Sequence, residues 1–413
     1  MALIVQKYGG TSVGSVERIH NVARRALATQ SQGDQVVVIV SAMAGETNRL
    51  LTLAGAITPA PDRREMDVIA ATGEQVSSAL TALAIQAQGG QARSFLGHQI
   101  KMKTDNAYSN ARILGIDAKG LRKQLDEGGI AVVAGYQGVD EQGNITTLGR
   151  GGSDTSAVAV AAAIGADCCE IYTDVDGVYT TDPNVCPRAR KIGRISYEEM
   201  LELASLGAKV LQRRSVEVAM KYGVPLHVRS SLSDLPGTWV VGEDTGLESV
   251  VVTGVTYDKS EARVMLVSVD DKPGVVATIF GELATEHISV DMIIQNAASD
   301  AQGRTDVTFT VAKSDLDKVE PMMTSLSEKL GARDVQYDER VAKVSIVGLG
   351  MRSHAGVAAR MFEILAKEGI NVQAISTSEI KVSCLVAAKY AELAVRALHD
   401  GFELDVEPKR RGD

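Results

Sequence analysis

The chain has 413 residues, of which 45% are hydrophobic and 4% aromatic, with a net charge of -9 and a pI near 5.4. This length and apolar content predict a globular protein of two or three domains, and the negative charge argues against nucleic acid as a partner. No stretch approaches about 18 uninterrupted apolar residues, and the N-terminal apolar run is too short for a signal-peptide core. We therefore expect a cytoplasmic protein without a membrane span.

The first 230 or so residues alternate short Val- and Ile-rich runs with longer helical patterns. We predict strands over residues 2–5, 36–40, 130–134, 168–173 and 226–228. We predict helices over residues 16–28, 66–88, 115–127, 154–164 and 197–222, with Gly207 as the point where the last one would break. Continuous apolar strands between helices are typical of a mostly parallel sheet covered on both faces. The pattern predicts a three-layer αβα domain over residues 1–245, with ligands at the carboxyl ends of its strands.

A loop-like stretch, SDLPGTWVVGEDTG, follows Ser231, and beyond it lies an internal repeat. Residues 274–293 and 356–375 match at about ten of twenty positions, and each copy reads strand, helix, strand, strand, helix, strand. We predict these elements over residues 264–269, 275–286, 288–294, 306–311, 316–330 and 334–337, then 343–347, 357–368, 370–376, 381–387, 391–399 and 402–404. The sequence thus predicts two α+β (βαββαβ) modules over residues 263–340 and 341–413, with a strand over 249–255 that could complete either.

The segment KYGGTSVGS, residues 7–15, lies where the first predicted strand should pass into a helix. Adjacent glycines let backbone N–H groups close on an anion, and a helix N-terminus favours negative charge. The segment is not a Walker A loop, because its lysine precedes the glycines and no GK[ST] follows. A plain packing turn is the alternative, but the lysine at the strand tip favours a phosphate site.

A second glycine-rich turn, LGRGGSDT at residues 148–155, leads into an alanine-rich helix. In the simplest interpretation Ser153 or Asp154 only caps that helix. Two such turns in one open sheet favour another interpretation, in which Lys7, Arg150 and Asp154 converge on one crevice that binds anionic groups.

The four cysteines are Cys168, Cys169, Cys186 and Cys384. They form no CxxC pair and have no histidines at metal-ligand spacing along the chain. We therefore expect ordinary core or surface thiols and no protein metal site.

Five segments in order resemble the signature motifs of the amino-acid kinase family, specifically the aspartate kinases. They are KYGGTSVGS (7–15), VSAMAGETN (40–48), TGEQ (72–75), LGRGGSDTSA (148–157) and YTDVDGVYTTDP (172–183). The C-terminal repeats resemble paired ACT modules, which are small-molecule regulatory domains. The resemblance implies transfer of the ATP γ-phosphoryl group, with Mg²⁺ bound to the ATP, to the β-carboxylate of L-aspartate. The product, 4-phospho-L-aspartate, would begin lysine, threonine and methionine biosynthesis.

The resemblance also assigns roles to individual residues. The catalytic residues would be Lys7 and Asp154. The ATP-binding residues would be Lys7, Gly9, Gly10, Ser12, Thr173, Asp174, Tyr179, Lys209 and Val210. The aspartate-binding residues would be Ser41, Thr47, Glu74, Arg150 and Ser153, although without the resemblance Glu74 would be interpreted as a solvated helix residue. The family often carries arginine where this chain has Asn184, so one phosphate or ribose contact is expected to differ.

The ACT pair implies control by lysine, threonine or both. The effector-binding residues would be Asp271, Gly274, Val276, Asp291, Gln295, Asn371, Val372, Ser378 and Glu379. The alternative is that these residues only form the turns that any such module needs. The second copy has SHAG at 353–356 where the first has DKPG at 271–274, so the modules are not expected to bind identically.

Open sheet edges in these modules predict a homo-oligomer. Two other functions remain open: a catalytically inactive amino-acid sensor, and a kinase of another acceptor such as glutamate, acetylglutamate, carbamate or UMP. The presence of Lys7, Arg150 and Asp154 argues against the first. Glu74 and Arg150 together with the paired modules argue against the second.

Overall fold

A computed structural model describes residues 1–206, 210–243, 251–296 and 303–407. The chain forms two compact units. The first unit comprises Met1–Tyr179 and Lys191–Leu247, and the second comprises Thr180–Arg190 and Glu248–Asp413. The short segment 180–190 thus leaves the first unit and returns to it, and we call it the excursion loop.

The first unit is built on an eight-stranded, mostly parallel sheet. Its strands are β1 (Leu3–Tyr8), β2 (Gln35–Val40), β3 (Ala92–Phe95), β6 (Ile130–Ala134), β9 (Cys168–Thr173), β10 (Arg194–Ser196), β11 (Leu226–Ser230) and β12 (Thr238–Val241). They lie in the order β10-β12-β11-β9-β1-β2-β6-β3, and only β11 and β12 pair antiparallel. A small second sheet contains β4 (Lys103–Thr104), β5 (Ile113–Gly115), β7 (Gln137–Val139) and β8 (Ile145–Thr147).

Helices cover both faces of the large sheet. They are α1 (Val16–Ser31), α2 (Glu46–Ile57), α3 (Arg63–Ala87), α4 (Lys119–Asp126), α5 (Gly152–Ile164), α6 (Tyr197–Ser205) and α7 (Arg213–Tyr222). All five residues from Val36 to Val40 are fully buried, and because alternate strand residues point to opposite faces, both faces must be covered. The predicted α/β class with a mostly parallel sheet is confirmed. The long helix predicted over 197–222 is instead two helices, α6 and α7, and Gly207 lies outside the described residues.

Helix α3 is, among the described helices, the one long and apolar enough to cross a membrane. Of its most apolar 18-residue window, 56% is buried within the protein. It packs against α1, α2, β3 and β6, so we assign it to the core of the first unit.

The second unit contains two antiparallel four-stranded sheets. The first has the order β15-β16-β14-β17, with strands β14 (Glu261–Asp270), β15 (Val290–Gln295), β16 (Arg304–Ala312) and β17 (Asp334–Asp338), and helices α8 (Val275–Thr285) and α9 (Leu316–Leu330). The second has the order β13-β18-β20-β19, with strands β13 (Gly254–Asp258), β18 (Val341–Val347), β19 (Val372–Ser378) and β20 (Lys381–Ala387), and helices α10 (Val357–Lys367) and α11 (Ala391–Gly401).

The fourth strand of the second sheet comes from a distant part of the sequence. The short strand predicted over 402–404 is wrong, because these residues form a turn after α11. Strand β13 takes that edge and pairs antiparallel with β18 over 254–258 and 343–347. It overlaps only the end of the strand predicted over 249–255, of which residues 249 and 250 lie outside the described part of the chain.

The excursion loop is held within the second unit by several contacts. The backbone oxygen of Thr180 accepts a hydrogen bond of 2.7 Å from the N–H of Val255, and its side chain lies 2.9 Å from Nε2 of His399. Val185 packs against the core of the second sheet. Where the loop begins and ends, Tyr179 and Lys191 form an antiparallel bridge within the first unit.

Candidate active site

Strand β1 carries Lys7 to the carboxyl end of the large sheet. Lys7 lies in register with Ile39 of β2 and Ile171 of β9, its two parallel neighbours. Its Nζ is 2.5 Å from Oδ1 of Asp154 in α5, and both side chains are about nine-tenths buried. The structure thus brings together a lysine and an aspartate that the sequence places in separate glycine-rich segments.

The loop after β1 is closely packed and contains a buried polar atom. The N–H of Ala44 donates to the oxygen of Gly10 at 3.1 Å. A Cβ on Gly10 would lie 2.9 Å from the backbone oxygen of Ala42, so a side chain there would force the loops apart. The hydroxyl of Ser12 is buried and has no hydrogen-bond partner among the described residues. Buried hydroxyls are normally paired, so this one indicates a place for a ligand.

The loop before α5 depends on glycines in left-handed conformations. Gly149 and Gly151 have φ of +77° and +71°, which favours glycine because it has no Cβ. Gly151 is the N-cap of α5, and no side chain caps the helix. The interpretation in which Ser153 or Asp154 only caps this helix is therefore wrong. Both residues lie buried in its first turn, where an acidic group interacts favourably with the helix dipole.

Glu74 lies in the interior and not on a solvated helix face. It is 4% exposed, and its Oε1 accepts a hydrogen bond of 3.0 Å from the N–H of Ala42. The other oxygen, Oε2, is buried without a partner in the described structure. Burial raises the pKa of Glu74 to about 7. A cation placed beside Oε2 would stabilise the ionised form.

The loop after β2 positions Ser41 and Thr47. The N–H of Ser41 donates to the oxygen of Tyr8 at 3.1 Å, which keeps the end of β2 beside the end of β1. The oxygen of Ser41 accepts a hydrogen bond of 2.7 Å from Oγ of Ser77 in α3. Thr47 is half-buried in the first turn of α2. Ser41 therefore lies in backbone fixed to the carboxyl end of the sheet beside Lys7, and Thr47 follows in the same connection from β2 to α2.

Arg150 is exposed and makes no hydrogen bond or ion pair with any residue in the described ranges. It lines a cavity of about 870 Å³ together with Arg112, Gln212 and Arg213. The side chain is therefore free to take an anionic partner. The structure shows the Lys7–Asp154 contact but no contact that joins Arg150 to it.

The proposed nucleotide residues follow β9. Thr173 is half-buried, with its hydroxyl 3.0 Å from Oδ1 of Asp174, and the Tyr179 hydroxyl donates to Asp176 at 2.8 Å. Asn184 is exposed, and its N–H and side-chain amide both donate to Oδ1 of Asp182 in a local turn. Val210 is half-buried, and the proposed contact Lys209 lies outside the described residues.

Two residues that sequence reasoning missed hold the second glycine-rich loop in place. Asp67 of α3 is 1% exposed and accepts hydrogen bonds from the N–H and hydroxyl groups of both Ser109 and Thr147. Arg214 donates to the backbone oxygens of Leu148 and Ala111 at 2.8 and 2.5 Å. The one signal for Asp67 is a carboxylate on the apolar side of a long helix.

The proposed effector residues occupy two places in the second unit. Gly274 starts α8 with a φ of +99°, and Nε2 of Gln295 lies 3.4 Å from Oδ1 of Asp271. Asp291 forms an ion pair with Lys343 of the other sheet, which also contacts Glu261. The remaining proposed residues are Val276 in α8, Asn371, Val372 and Ser378 at β19, and Glu379, which lies 3.4 Å from Arg352.

Comparison with known proteins agrees with this architecture. The profile of the amino acid kinase family matches residues 2–230, and ACT domain profiles match residues 263–321 and 344–402. The chain is 55% identical to an aspartate kinase of Pseudomonas putida, with all of both chains covered.

Two solved structures of Escherichia coli aspartokinase III are also similar. One, in complex with aspartate and ADP (R-state), has a TM-score of 0.80 at 27% identity and covers 97% of this chain and 99% of its own. The other, in complex with lysine and aspartate (T-state), has a TM-score of 0.76 at 26% identity with the same coverage.

Proposed function

The chain belongs to the amino acid kinase family, within its aspartate kinase group, and from that premise we propose how its own residues perform the reaction. ATP would transfer its γ-phosphoryl group to the β-carboxylate of L-aspartate, giving ADP and 4-phospho-L-aspartate. An attacking carboxylate is already ionised near pH 7, so no general base is needed. Catalysis then depends on alignment of two anions and on stabilisation of the charge that moves between them.

The observation that carries this proposal is the Lys7–Asp154 pair beside the glycine-rich loop. The Nζ–Oδ1 distance of 2.5 Å fixes the lysine at the carboxyl end of the sheet, and the loop lies close to it, since a Cβ on Gly9 would be 3.6 Å from Nζ. The Ser12 hydroxyl of the same loop is buried and has no partner among the described residues. Asp154 orients Lys7, and Lys7 contacts the transferring phosphoryl group. A preorganised cation of this kind stabilises the transition state more than the ground state.

Recognition of aspartate rests on Glu74. Its unpartnered Oε2 would accept the substrate ammonium group, and its Oε1 stays bound to the N–H of Ala42. Arg150 would grip a substrate carboxylate with two parallel hydrogen bonds, since its guanidinium is exposed and unpaired within the described residues. Ser41, Thr47 and Ser153 would supply further donors.

Nucleotide and metal binding follow from the same groups. Gly9, Gly10 and Ser12 would face the phosphates, while Thr173, Asp174, Tyr179, Lys209 and Val210 would contact the nucleoside. Magnesium would arrive with ATP, and the oxygen groups present, the Asp154 carboxylate and the Ser12 hydroxyl, fit a hard cation. When bound, the ion neutralises charge on the phosphate oxygens. ATP and free amino acids as ligands fit the cytoplasmic location expected from the sequence.

Regulation by lysine, threonine or both would act through the second unit. The lysine complex of the E. coli relative supports an amino-acid effector. The excursion loop supports a route, because Thr180 is held by Val255 and His399 of the second unit and follows directly after Tyr179. An effector that binds better to one arrangement of the second unit would favour that arrangement. The sheet edges β13, β15, β17 and β19 support a homo-oligomer.

The test is ATP-dependent formation of an acyl phosphate, trapped with hydroxylamine. L-Aspartate should give product, and L-glutamate, acetylglutamate, carbamate and UMP should not. Lysine and threonine, added singly and together, should lower the rate. No product from aspartate under any condition would leave the amino-acid sensor as the better explanation, and a rate unaffected by either effector would remove the proposed regulation.

A further inference from the structure

The excursion loop and helix α11 bring together three side chains that can bind a metal ion. Cys186 lies in the loop, and His399 and Asp400 lie in the last turn of α11. One ligand atom from each, a thiol sulfur, an imidazole nitrogen and a carboxylate oxygen, lies within 4.8 Å of the other two. All three residues belong to the second unit. The two parts of the sequence are far apart, so spacing rules could not pair them.

His399 gives an independent indication of a ligand. Its side chain is fully buried, and Nε2 lies 2.9 Å from Oγ1 of Thr180. The other ring nitrogen, Nδ1, has no hydrogen-bond partner in the described structure, and the nearest acidic oxygen is Oδ1 of Asp400 at 3.9 Å. A buried polar atom without a partner lowers stability unless something binds it. The unpartnered Nδ1 thus faces the Asp400 carboxylate, and a ring nitrogen of His399 lies within 4.8 Å of the Cys186 sulfur.

We propose that Cys186, His399 and Asp400 form a site for a borderline-soft divalent cation of the Zn²⁺ class, with water as the fourth ligand. Sulfur, nitrogen and oxygen donors in this combination are those that zinc prefers. The histidine would bind through Nδ1 and donate from Nε2–H to Thr180, the outer hydrogen bond that metal-bound histidines usually make.

Formation of the site requires small, specific movements. Bond lengths of about 2.0–2.3 Å around a tetrahedral ion place ligand atoms about 3.5 Å apart, so the three must close by about 1 Å. Asp400 is half-exposed and would turn away from Arg188, with which it now forms an ion pair. Arg188 would retain its ion pair with Asp405, in which Nη1 of Arg188 lies 3.4 Å from Oδ2 of Asp405. The Cys186 thiol would lose its proton to solvent, and no oxidation or reduction is involved.

The proposed metal site would have a structural role that is separate from the proposed reaction. A bound ion would join the excursion loop to α11 by coordinate bonds at Cys186, in addition to the hydrogen bond at Thr180. It would thereby fix the residues that follow Tyr179 without taking part in phosphoryl transfer.

The test uses Co²⁺ as a spectroscopic probe on the full chain under reducing, oxygen-free conditions. About one equivalent of Co²⁺ should give a thiolate-to-cobalt charge-transfer band in the near ultraviolet. Zn²⁺ should displace the cobalt and thereby remove the band. Cys186→Ser should abolish the band. Cys168→Ser, which alters a partly exposed thiol of the first unit, should retain it. Absence of the band in the unaltered chain, or its persistence in Cys186→Ser, would overturn the proposal.

A second variant tests the geometry without altering any proposed ligand. Arg188→Gln frees Asp400 from an exposed ion pair, and such pairs are worth about 0.2–1 kcal/mol. Cobalt should therefore bind about 1.4- to 5-fold more tightly to Arg188→Gln than to the unaltered chain. Unchanged or weaker binding would exclude Asp400 as a ligand and contradict the site as proposed.

Discussion

The proposed active site and the proposed effector residues differ in how their polar atoms are satisfied. In the first unit the Ser12 hydroxyl and Oε2 of Glu74 are buried without partners among the described residues. In the second unit Gln295 lies beside Asp271, and Asp291 is paired with Lys343. A ligand of the first unit completes bonds that are missing, whereas an effector must replace contacts that exist. We expect substrate binding to need little rearrangement and effector binding to move the second unit.

The largest effect should come from loss of the fixed cation. Lys7→Ala should lower kcat by about 10³-fold or more, because removal of one preorganised transition-state contact typically costs 10²–10³ and this one carries a full charge. Steady-state kinetics measure it, and ADP binding should largely survive. Lys103→Ala, which removes an exposed lysine from β4, is the control. Turnover of Lys7→Ala near that of the control would take Lys7 out of the mechanism.

The second-largest effect should be a loss of stability of the first unit when Asp67 is removed. Asp67→Ala leaves four hydrogen-bond donors of Ser109 and Thr147 without their acceptor. We expect the first unit to lose about 3 kcal/mol of unfolding free energy, the scale for removal of a charged acceptor from a buried site. Urea denaturation measures this loss of unfolding free energy. Asp126→Ala, which removes an exposed aspartate, is the control. Equal midpoints for the two variants would show that Asp67 does not support the loop.

Glu74→Gln should raise the KM for aspartate by about 10- to 100-fold, since a hydrogen bond to a charged group is worth about 1.5–3 kcal/mol. The KM for ATP should change little, because Glu74 is assigned to the substrate ammonium group. Gln75→Glu or Gln75→Ala at the neighbouring position serves as the control for helix α3. A change confined to ATP would contradict the assignment.

The same residue predicts a pH dependence. Burial raises the pKa of Glu74 to about 7, so the free enzyme carries a protonated carboxyl group below that pH. An ammonium group requires the ionised form. The KM for aspartate should therefore rise as pH falls through about 7, approaching tenfold per unit below it. Glu74→Gln should lack this dependence, and a wild-type KM that is flat between pH 6 and about 8 would contradict the proposed contact.

The smallest effect concerns the second unit. Gln295→Ala should raise the effector concentration for half-inhibition by about 5-fold, corresponding to one neutral hydrogen bond of about 1 kcal/mol. Gln336→Ala, which alters an exposed glutamine in the same sheet, is the control. If both variants respond to lysine and threonine alike, the effector does not bind at Gln295, and the contrast between the units needs another explanation.

Much of the core could be predicted because its strands are continuous apolar runs. The segments around 36–40 and 130–134 are buried on both faces, which leaves little choice of residue type. Short strands such as β4, with two residues, carry no period that distinguishes them from loops. A strand completing one of the two modules was predicted before the repeat, but its pairing with β18 was not, because pairing partners far apart in sequence leave no local pattern.

The candidate site likewise combines features that the sequence predicts with features that it does not. The glycine-rich loops were visible because close backbone approach leaves few alternatives to glycine, as at Gly10. The burial of Glu74 was not visible, because it depends on how Gly73 packs against Ala42, where a Cβ would lie 2.7 Å from that of Ala42. Asp67 and Arg214 act through backbone groups of other segments, which sequence spacing does not specify.

Strand β13 has a consequence for how the second unit can be made. It is synthesised before every element of the first ACT sheet, yet its partner β18 is synthesised after all of them. The second sheet therefore cannot complete its edge until the first module has emerged from the ribosome. A recombinant fragment that starts at β14 would expose the unpaired side of β18, which favours aggregation. A fragment intended to report effector binding should therefore begin before Gly254.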